Sequence, residues 1–483
     1  MTQTALGGHV ERQCPSWRSG DEDDEVNTAT SRPWNLLKIY SVAEELSGMA
    51  LADQKPVIKD VLIIGGSLTS LMHGIMLKDL GYNVRILEKD IGSPESHMAG
   101  ICAAADVLEF LNKHDRLQQP FGIPSEYFQS IDNQCRTRVF LKAPRLMTSW
   151  DALYYRLRAN FDGLKSDYYP NPIVPEASSP TILYDSGKRV QDIVVDAGMV
   201  LVKFEDRATG EYKEAKADLL LGADGPNSIV RKLFMPTPTT RQPFLGIIAW
   251  RGVVPELEVS EKTRKLFEKE ISYYIMHENH VIVYNIPGDK GSLEAGKRLL
   301  NFCWYTNEDT GSFADIMTDV SGHRHHATVP VGKVREGVWR RRREIGNEVL
   351  SEPFKEVMNK IARPFVQVVT DYYTPKAVFG DGRVLLVGDA KTLFRPHIAF
   401  STNQAAFDCL LVEKYVKGEI DIAEWESRVL QFGYLHWLRS IYYSVYFQRH
   451  PIFWVVPALQ YWITSATCMI RNYWKGQLLR SQL

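Results

Sequence analysis

The chain has no excess of charge of either sign: 57 Lys and Arg residues face 58 Asp and Glu, leaving a net charge of −1. No nucleic-acid partner is expected, because no basic surplus exists to neutralise phosphates. The densest basic cluster, Arg340 to Arg343, reads as a solvated or salt-bridged helix face. Cysteine is scarce, and none of the 6 residues pairs at the spacing of a metal or redox motif. They read as free thiols in a reducing compartment. His323, His325 and His326 lack further ligands at metal-binding spacing, so they read as a polar loop and no metal site is assigned. No internal repeat occurs. No charged-then-apolar stretch opens the chain, so a cytoplasmic location is expected.

What is present is length and apolar content. The 483 residues, 45% of them hydrophobic, suit two intertwined domains with extensions. Residues 1–50 form a polar arm, with the acidic run Asp21 to Glu25, that is expected to be disordered. The first strong element is the β-branched run Val61 to Ile64, closed by Gly65-Gly66. A helical pattern runs from Leu68 to Leu80 and stops at Gly81; a second strand, Val84 to Leu87, ends at Glu88. This is a βαβ start. Further strands are expected at Asp218 to Gly222, Leu245 to Val254, His280 to Ile286, Arg298 to Tyr305 and Val384 to Val387. A helix is expected from Thr402 to Lys417.

Three motifs carry chemistry. The first is Gly65-Gly66-Ser67-Leu68-Thr69-Ser70, a degenerate GxGxxG between strand and helix. Glycines there let backbone approach a pyrophosphate at the helix N-terminus, and Glu88 can take the ribose hydroxyls. Alone, the motif also suits a tight turn with no ligand. The second is Gly222-Ala223-Asp224-Gly225-Pro226, leading to Arg231. The third is Gly388-Asp389-Ala390, followed by Arg395-Pro396-His397 and Ser401 to Ala406.

These three motifs in this order resemble the class A flavoprotein monooxygenases, typified by para-hydroxybenzoate hydroxylase. The runs Ala249-Trp250-Arg251-Gly252, Tyr284 to Gly288, Asn301 to Tyr305 and Thr328 to Lys333 look like the 2,6-dihydroxypyridine 3-hydroxylase branch. The likeness runs from about Val57 to Gly433. It implies an α/β fold, with a Rossmann-like FAD-binding domain of the GR2 type. A mixed β-sheet substrate domain is inserted in it, and a helical C-terminal tail follows. The expected domains are 57–235 with 365–433 for FAD, 236–364 for the substrate sheet and 434–483 for the tail. The resemblance places Asp224 near the FAD pyrophosphate, Asp389 on the ribityl chain, and the helix after it with its N-terminus at the flavin. Arg251 falls where the family has an arginine beside flavin and substrate; an ordinary strand salt bridge is the plain alternative. The sequence departs from the family at Ile398-Ala399-Phe400, where glycines usually stand. Ala399 is nonetheless taken as a flavin contact. The usual pyrophosphate arginine is also absent, with Trp150 near its place and Arg156 as a substitute.

The resemblance further implies FAD, NAD(P)H and O2 as cofactor and co-substrates, and an electron-rich aromatic or heteroaromatic small molecule as substrate, in secondary metabolism. Of the aromatics Trp250, Tyr284, Phe302, Trp304 and Tyr305, alternation lets only about half face a pocket. His280 and Tyr284 are within the range of residues that could assist deprotonation, without a motif to support them. Epoxidation or oxidative rearrangement by the same chemistry, and an inactive flavin-binding protein, stand as alternatives. In the tail, Ile452 to Ile470 carries no charge and is flanked by Arg449 and Arg471, with Trp454 and Trp462 inside it. Membrane contact, packing on the protein and a homodimer contact are the three options.

Overall fold

Strands rich in Val, Ile and Leu with no alternation must be covered on both faces, and the βαβ start is built that way. The computed structural model describes residues 58–92, 94, 99–173, 180–235 and 244–474; the polar arm lies outside them. The first strand, Asp60–Ile64, pairs in parallel with Leu219–Gly222 on one side and Asn83–Leu87 on the other. Val384–Leu386 joins Leu219–Gly222, again in parallel. Ile182–Asp185 extends the other side, and the short antiparallel Val378–Phe379 closes the sheet of six. The strands that precede the three motifs are therefore immediate neighbours. Their C-terminal ends, where ligands bind in open parallel sheets, lie side by side.

Helices Leu68–Asp79, Trp150–Phe161 and Ser401–Val416 cover one face of this sheet, burying Leu71, Met72, Leu153, Leu157 and Ala406. The other face packs on a three-stranded meander, Lys188–Asp196, Met199–Asp206 and Glu211–Ala217, through Val200, Val202 and Phe204.

A second sheet of nine strands has at its centre Ile247–Pro255, Leu299–Asn307, Asn279–Ile286 and Ile271–Met276, all antiparallel. It also takes Gly100–Ala103, Ile123–Ile131 and Thr137–Ser149, so its strands come from before the second motif as well as after it. The period of two decides its faces. Trp250, Phe302 and Trp304 point to a core shared with Trp339 and Phe354 of the helices Glu336–Val349 and Glu352–Lys360. Arg251, Cys303 and Tyr305, one position along, point to the opposite side. Arg342 is the one member of the basic run drawn inward. It pairs with Glu308 and lies over Trp250 at 4.3 Å, while Arg340, Arg341 and Arg343 make surface ion pairs.

The helix Ile422–Gln448 starts at Asp421, whose side chain accepts the Glu424 N–H at 2.7 Å. It touches both sheets, with Phe432 in the core of the first and Phe447 against the second. The helix Val455–Trp474 then folds back along it.

Candidate active site: a cofactor cleft and a smaller cavity

Neighbouring strand ends bring the three motifs to one cleft of about 530 Å3. Gly65, Gly66, Ser67, Glu88, Asp224 and Asp389 all line it. Such a volume is that of a small-molecule or cofactor site.

The glycines are needed where motifs meet. Gly65 has φ 100°, and a Cβ there would sit 2.6 Å from the Ala223 carbonyl oxygen of the second motif. At Gly66 a Cβ would collide with Tyr184 and Glu88. The Gly66 N–H donates to Glu88 Oε2 at 2.5 Å, and the Tyr184 hydroxyl donates to the Gly66 carbonyl at 2.9 Å. Glu88 Oε1 accepts the Asp90 N–H at 2.9 Å. Each carboxylate oxygen keeps a lone pair for a further donor. Ser67 makes no side-chain cap, so the first amides of its helix are not occupied by it.

Asp224 divides its two oxygens. Oδ2 accepts the Ile229 N–H at 2.6 Å and the Val230 N–H at 3.2 Å, holding the start of the helix Ile229–Phe234. Oδ1 is shut off from solvent and has no partner among the described residues. Asp389 Oδ1 is in the same state. Burial pushes the Asp389 carboxyl up to about 6, against a hydrogen bond from Ser401 that lowers it. Asp224 and Asp389 both line the cleft, and each keeps a carboxylate oxygen with no donor among the described residues, a need that a ligand bringing hydroxyl groups could meet. FAD does so with its ribityl and ribose hydroxyls, and the residues fit it.

Arg231 fastens the second motif to the third. Its fully buried guanidinium donates to Pro226 and Ala390 carbonyls at 2.6 and 2.7 Å and lies over the Tyr372 ring at 4.0 Å. Beneath the third motif Lys391 and Asp408 form a wholly buried pair at 3.0 Å, and Asp408 accepts the Gly388 N–H at 2.8 Å. These residues place Asp389, and of them only Arg231 stands in one of the motifs. Arg156 does not reach the cleft. Its guanidinium pairs with Asp115 at 2.5 Å and donates to the Gln119 and Leu117 carbonyls, so its charge is consumed inside the fold. Lys89, Lys188 and Arg189 line the cleft instead.

A second cavity, about 180 Å3, is lined by Arg251, Tyr273, Tyr284, Tyr305, His397 and Ala399, and by Ser401 and Thr402. The last two open the sixteen-residue helix Ser401–Val416, whose first turn has no side-chain cap and presents positive dipole and free amides. Ala399 holds φ 47° and ψ 46°. This is the left-handed conformation glycine favours, so the turn is kept without the glycine.

Arg251 has no carboxylate within ion-pair distance among the described residues, so the strand salt bridge is not what it makes. Nη1 donates to Gln367 at 3.0 Å, Nε has no acceptor, and the group lies over Phe365 at 5.1 Å. His397 stacks on Tyr305 at 4.5 Å; both its ring nitrogens are buried and lack partners among the described residues. Burial holds it well below the usual histidine range, so it stays neutral and protonation is disfavoured; its ring can take part in a hydrogen bond. Tyr284 and Tyr305 line the cavity; Trp250, Phe302 and Trp304 do not, which is the division alternation allows. His280 lies behind Tyr305, bonded to Gln448 at 3.1 Å.

Comparison with known proteins bears on this geometry. A family described as FAD binding domain-like matches residues 244–371. The chain is 29% identical over 387 residues to 2,6-dihydroxypyridine 3-monooxygenase of Paenarthrobacter nicotinovorans, across 79% of this chain and 89% of that one. The solved 2,6-dihydroxypyridine-3-hydroxylase of Arthrobacter nicotinovorans superposes with a TM-score of 0.70 at 26% identity, covering 82% of this chain and 94% of the other. By these likenesses the chain is an FAD-dependent monooxygenase, similar to those of class A. The fold of this monooxygenase is shared also with Klebsiella pneumoniae HpxO, solved with FAD and uric acid, at a TM-score of 0.60 and 16% identity over 84% of this chain and 92% of that one.

Proposed function

We propose that the monooxygenase hydroxylates an electron-rich aromatic or heteroaromatic ring that carries an ionisable oxygen. NAD(P)H is its electron donor. One oxygen atom of O2 enters the ring, the other leaves as water, and NAD(P)H gives up two electrons. The observation that carries this reading is Arg251: a guanidinium on the wall of an aromatic cavity with no carboxylate among the described residues to pair with. An anionic ring oxygen is the partner such a cation lacks.

In this reading the cleft at Gly65, Gly66, Ser67, Glu88, Asp224 and Asp389 holds FAD. Ala399 and the first turn of the helix Ser401–Val416 reach its flavin end. When bound and reduced, FAD supplies the activation of O2. The chain's own part is to hold the ring and favour its ionised form. Arg251 stabilises the phenolate-like oxygen, which makes the ring carbon beside it electron-rich. Tyr284 and Tyr305 bound the ring, and their aromatic faces would keep water from the reacting carbon. The relative's name, a dihydroxypyridine hydroxylase, is consistent with such a substrate. The left-handed turn kept at Ala399 supports an active enzyme over an inactive flavin binder.

The test is a panel of hydroxypyridines, phenols and indoles with the FAD-loaded protein. Hydroxylated rings with an ionisable oxygen should stimulate NAD(P)H oxidation and gain one oxygen atom by mass. Stimulation by neutral alkenes alone, with epoxide products, would overturn the reading.

A further inference from the structure

The helix Val455–Trp474 is amphipathic the wrong way round for a soluble protein. Its inward face is small or polar: Ala458, Tyr461, Thr464, Ser465 and Cys468 recur at helical spacing and are buried or half-buried. Tyr461 stacks on Tyr442 at 6.0 Å, and Arg471 hydrogen bonds to Gln431. With Trp454 against Tyr446 at the other end, the helix is fixed along the length of Ile422–Gln448. Its outward face is mainly apolar, with Gln460 and Thr467 the exposed polar exceptions. Val456, Leu459, Ile463 and Ile470 are 61%, 56%, 62% and 59% exposed, Trp462 lies among them, and Ile452 in the turn just before the helix is 69% exposed. Exposed apolar stripes of this length mark an interaction surface.

Charge chooses the occupant. After Glu426 the sequence contains no Asp or Glu to its last residue, while Arg449 precedes the stripe and Arg471, Lys475 and Arg480 follow it. A second copy seated on the stripe would bring a like-charged flank against each flank. A bilayer with anionic headgroups complements both the apolar stripe and the cationic ends.

We propose that Val455–Trp474 is an in-plane membrane anchor that seats the enzyme on an anionic bilayer surface without crossing it. The polar face stays on Ile422–Gln448, and the stripe from Ile452 to Ile470 enters the headgroup boundary.

The test uses the FAD-loaded full-length chain and preformed vesicles of phosphatidylcholine, with and without phosphatidylserine. The protein should float with the phosphatidylserine vesicles and bind the neutral ones more weakly. Leu459→Glu with Ile463→Glu should weaken binding at least about tenfold, with FAD content unchanged. If that pair loses FAD, Val456→Glu, at a comparably exposed position, takes its place. Failure of the full chain to bind either vesicle overturns the proposal. So does a dimer in vesicle-free buffer that the double substitution dissociates, because the stripe is then covered by a second copy. A C-terminal tag that becomes protected from external protease would show crossing, and overturns the in-plane seating.

Discussion

The two halves of the site are made differently. The cofactor cleft is framed by backbone at the ends of adjacent parallel strands, and its determinants are short motifs: a glycine pair, three carboxylates, a helix start. The smaller cavity is made of side chains from antiparallel strands far apart in the chain, selected by alternation, and its one uncompensated charge is Arg251. The first kind of site tolerates much sequence change between motifs. The second changes identity with a single residue. One half can thus stay common to many enzymes while the other sets what is oxidised.

If the division is real, a substitution in one half should leave the other half's readout alone. The largest effect is expected at Arg251→Met. Losing a buried charge-assisted contact to the substrate, worth about 2–5 kcal/mol, lowers kcat/KM by roughly thirtyfold to several thousandfold. FAD should stay bound; loss of FAD along with turnover would break the comparison. Next is Asp389→Ala. Removing charged hydrogen bonds to FAD costs about 1.5–3 kcal/mol, so Kd for FAD should rise roughly ten- to a hundredfold without unfolding, measured by flavin fluorescence on the apoprotein. An unchanged Kd would remove Asp389 from the cofactor site.

Acid sharpens the same point. Burial raises Asp389 to about 6 in the apoprotein, above the usual carboxylate value near 3.8. Between those values the folded apoprotein holds a proton the unfolded chain does not. This group therefore stabilises the apoprotein as pH falls through about 6. FAD binding runs the other way, because a protonated carboxyl is the poorer acceptor. Affinity at pH 5 should be about tenfold weaker than at pH 7, and Asp389→Ala should flatten that dependence. The smallest effect is at Ala399→Gly. Relief of the left-handed alanine, set against glycine's greater freedom when unfolded, should raise thermal stability by up to ~1 kcal/mol. A loss of stability would mean that Ala399 does not adopt this turn in solution.

Much of the cleft was legible in the sequence because its parts are local. A strand ending in Gly65-Gly66, a carboxylate closing the next strand and two Gly-Asp turns each announce themselves within a few residues. The family resemblance supplied their order. What holds them in place was not legible, since Arg231 and the Lys391–Asp408 pair act across the fold. Arg156 was misjudged for the same reason. A cation looks free in a sequence, and only the folded Asp115 and the carbonyls around it show that it is spent. In the cavity, alternation limited the aromatics that can face one side to about half without saying which, and nothing local marked His397 as a wall residue with both nitrogens unpartnered among the described residues. The departure from glycine at Ala399 looked like erosion of the site; backbone conformation, invisible in the letters, shows the turn preserved.

The measurement that bears most directly on the central claim is a titration of apoprotein with FAD, followed by flavin absorbance in wild type and in Arg251→Met. Both should saturate at one noncovalent FAD per chain with equal affinity, and an ionisable hydroxylated ring should then perturb the flavin spectrum of the wild type alone. A chain that takes up no FAD, or a variant whose flavin responds to the ring as the wild type does, would contradict a cofactor cleft coupled to a separate cavity governed by Arg251.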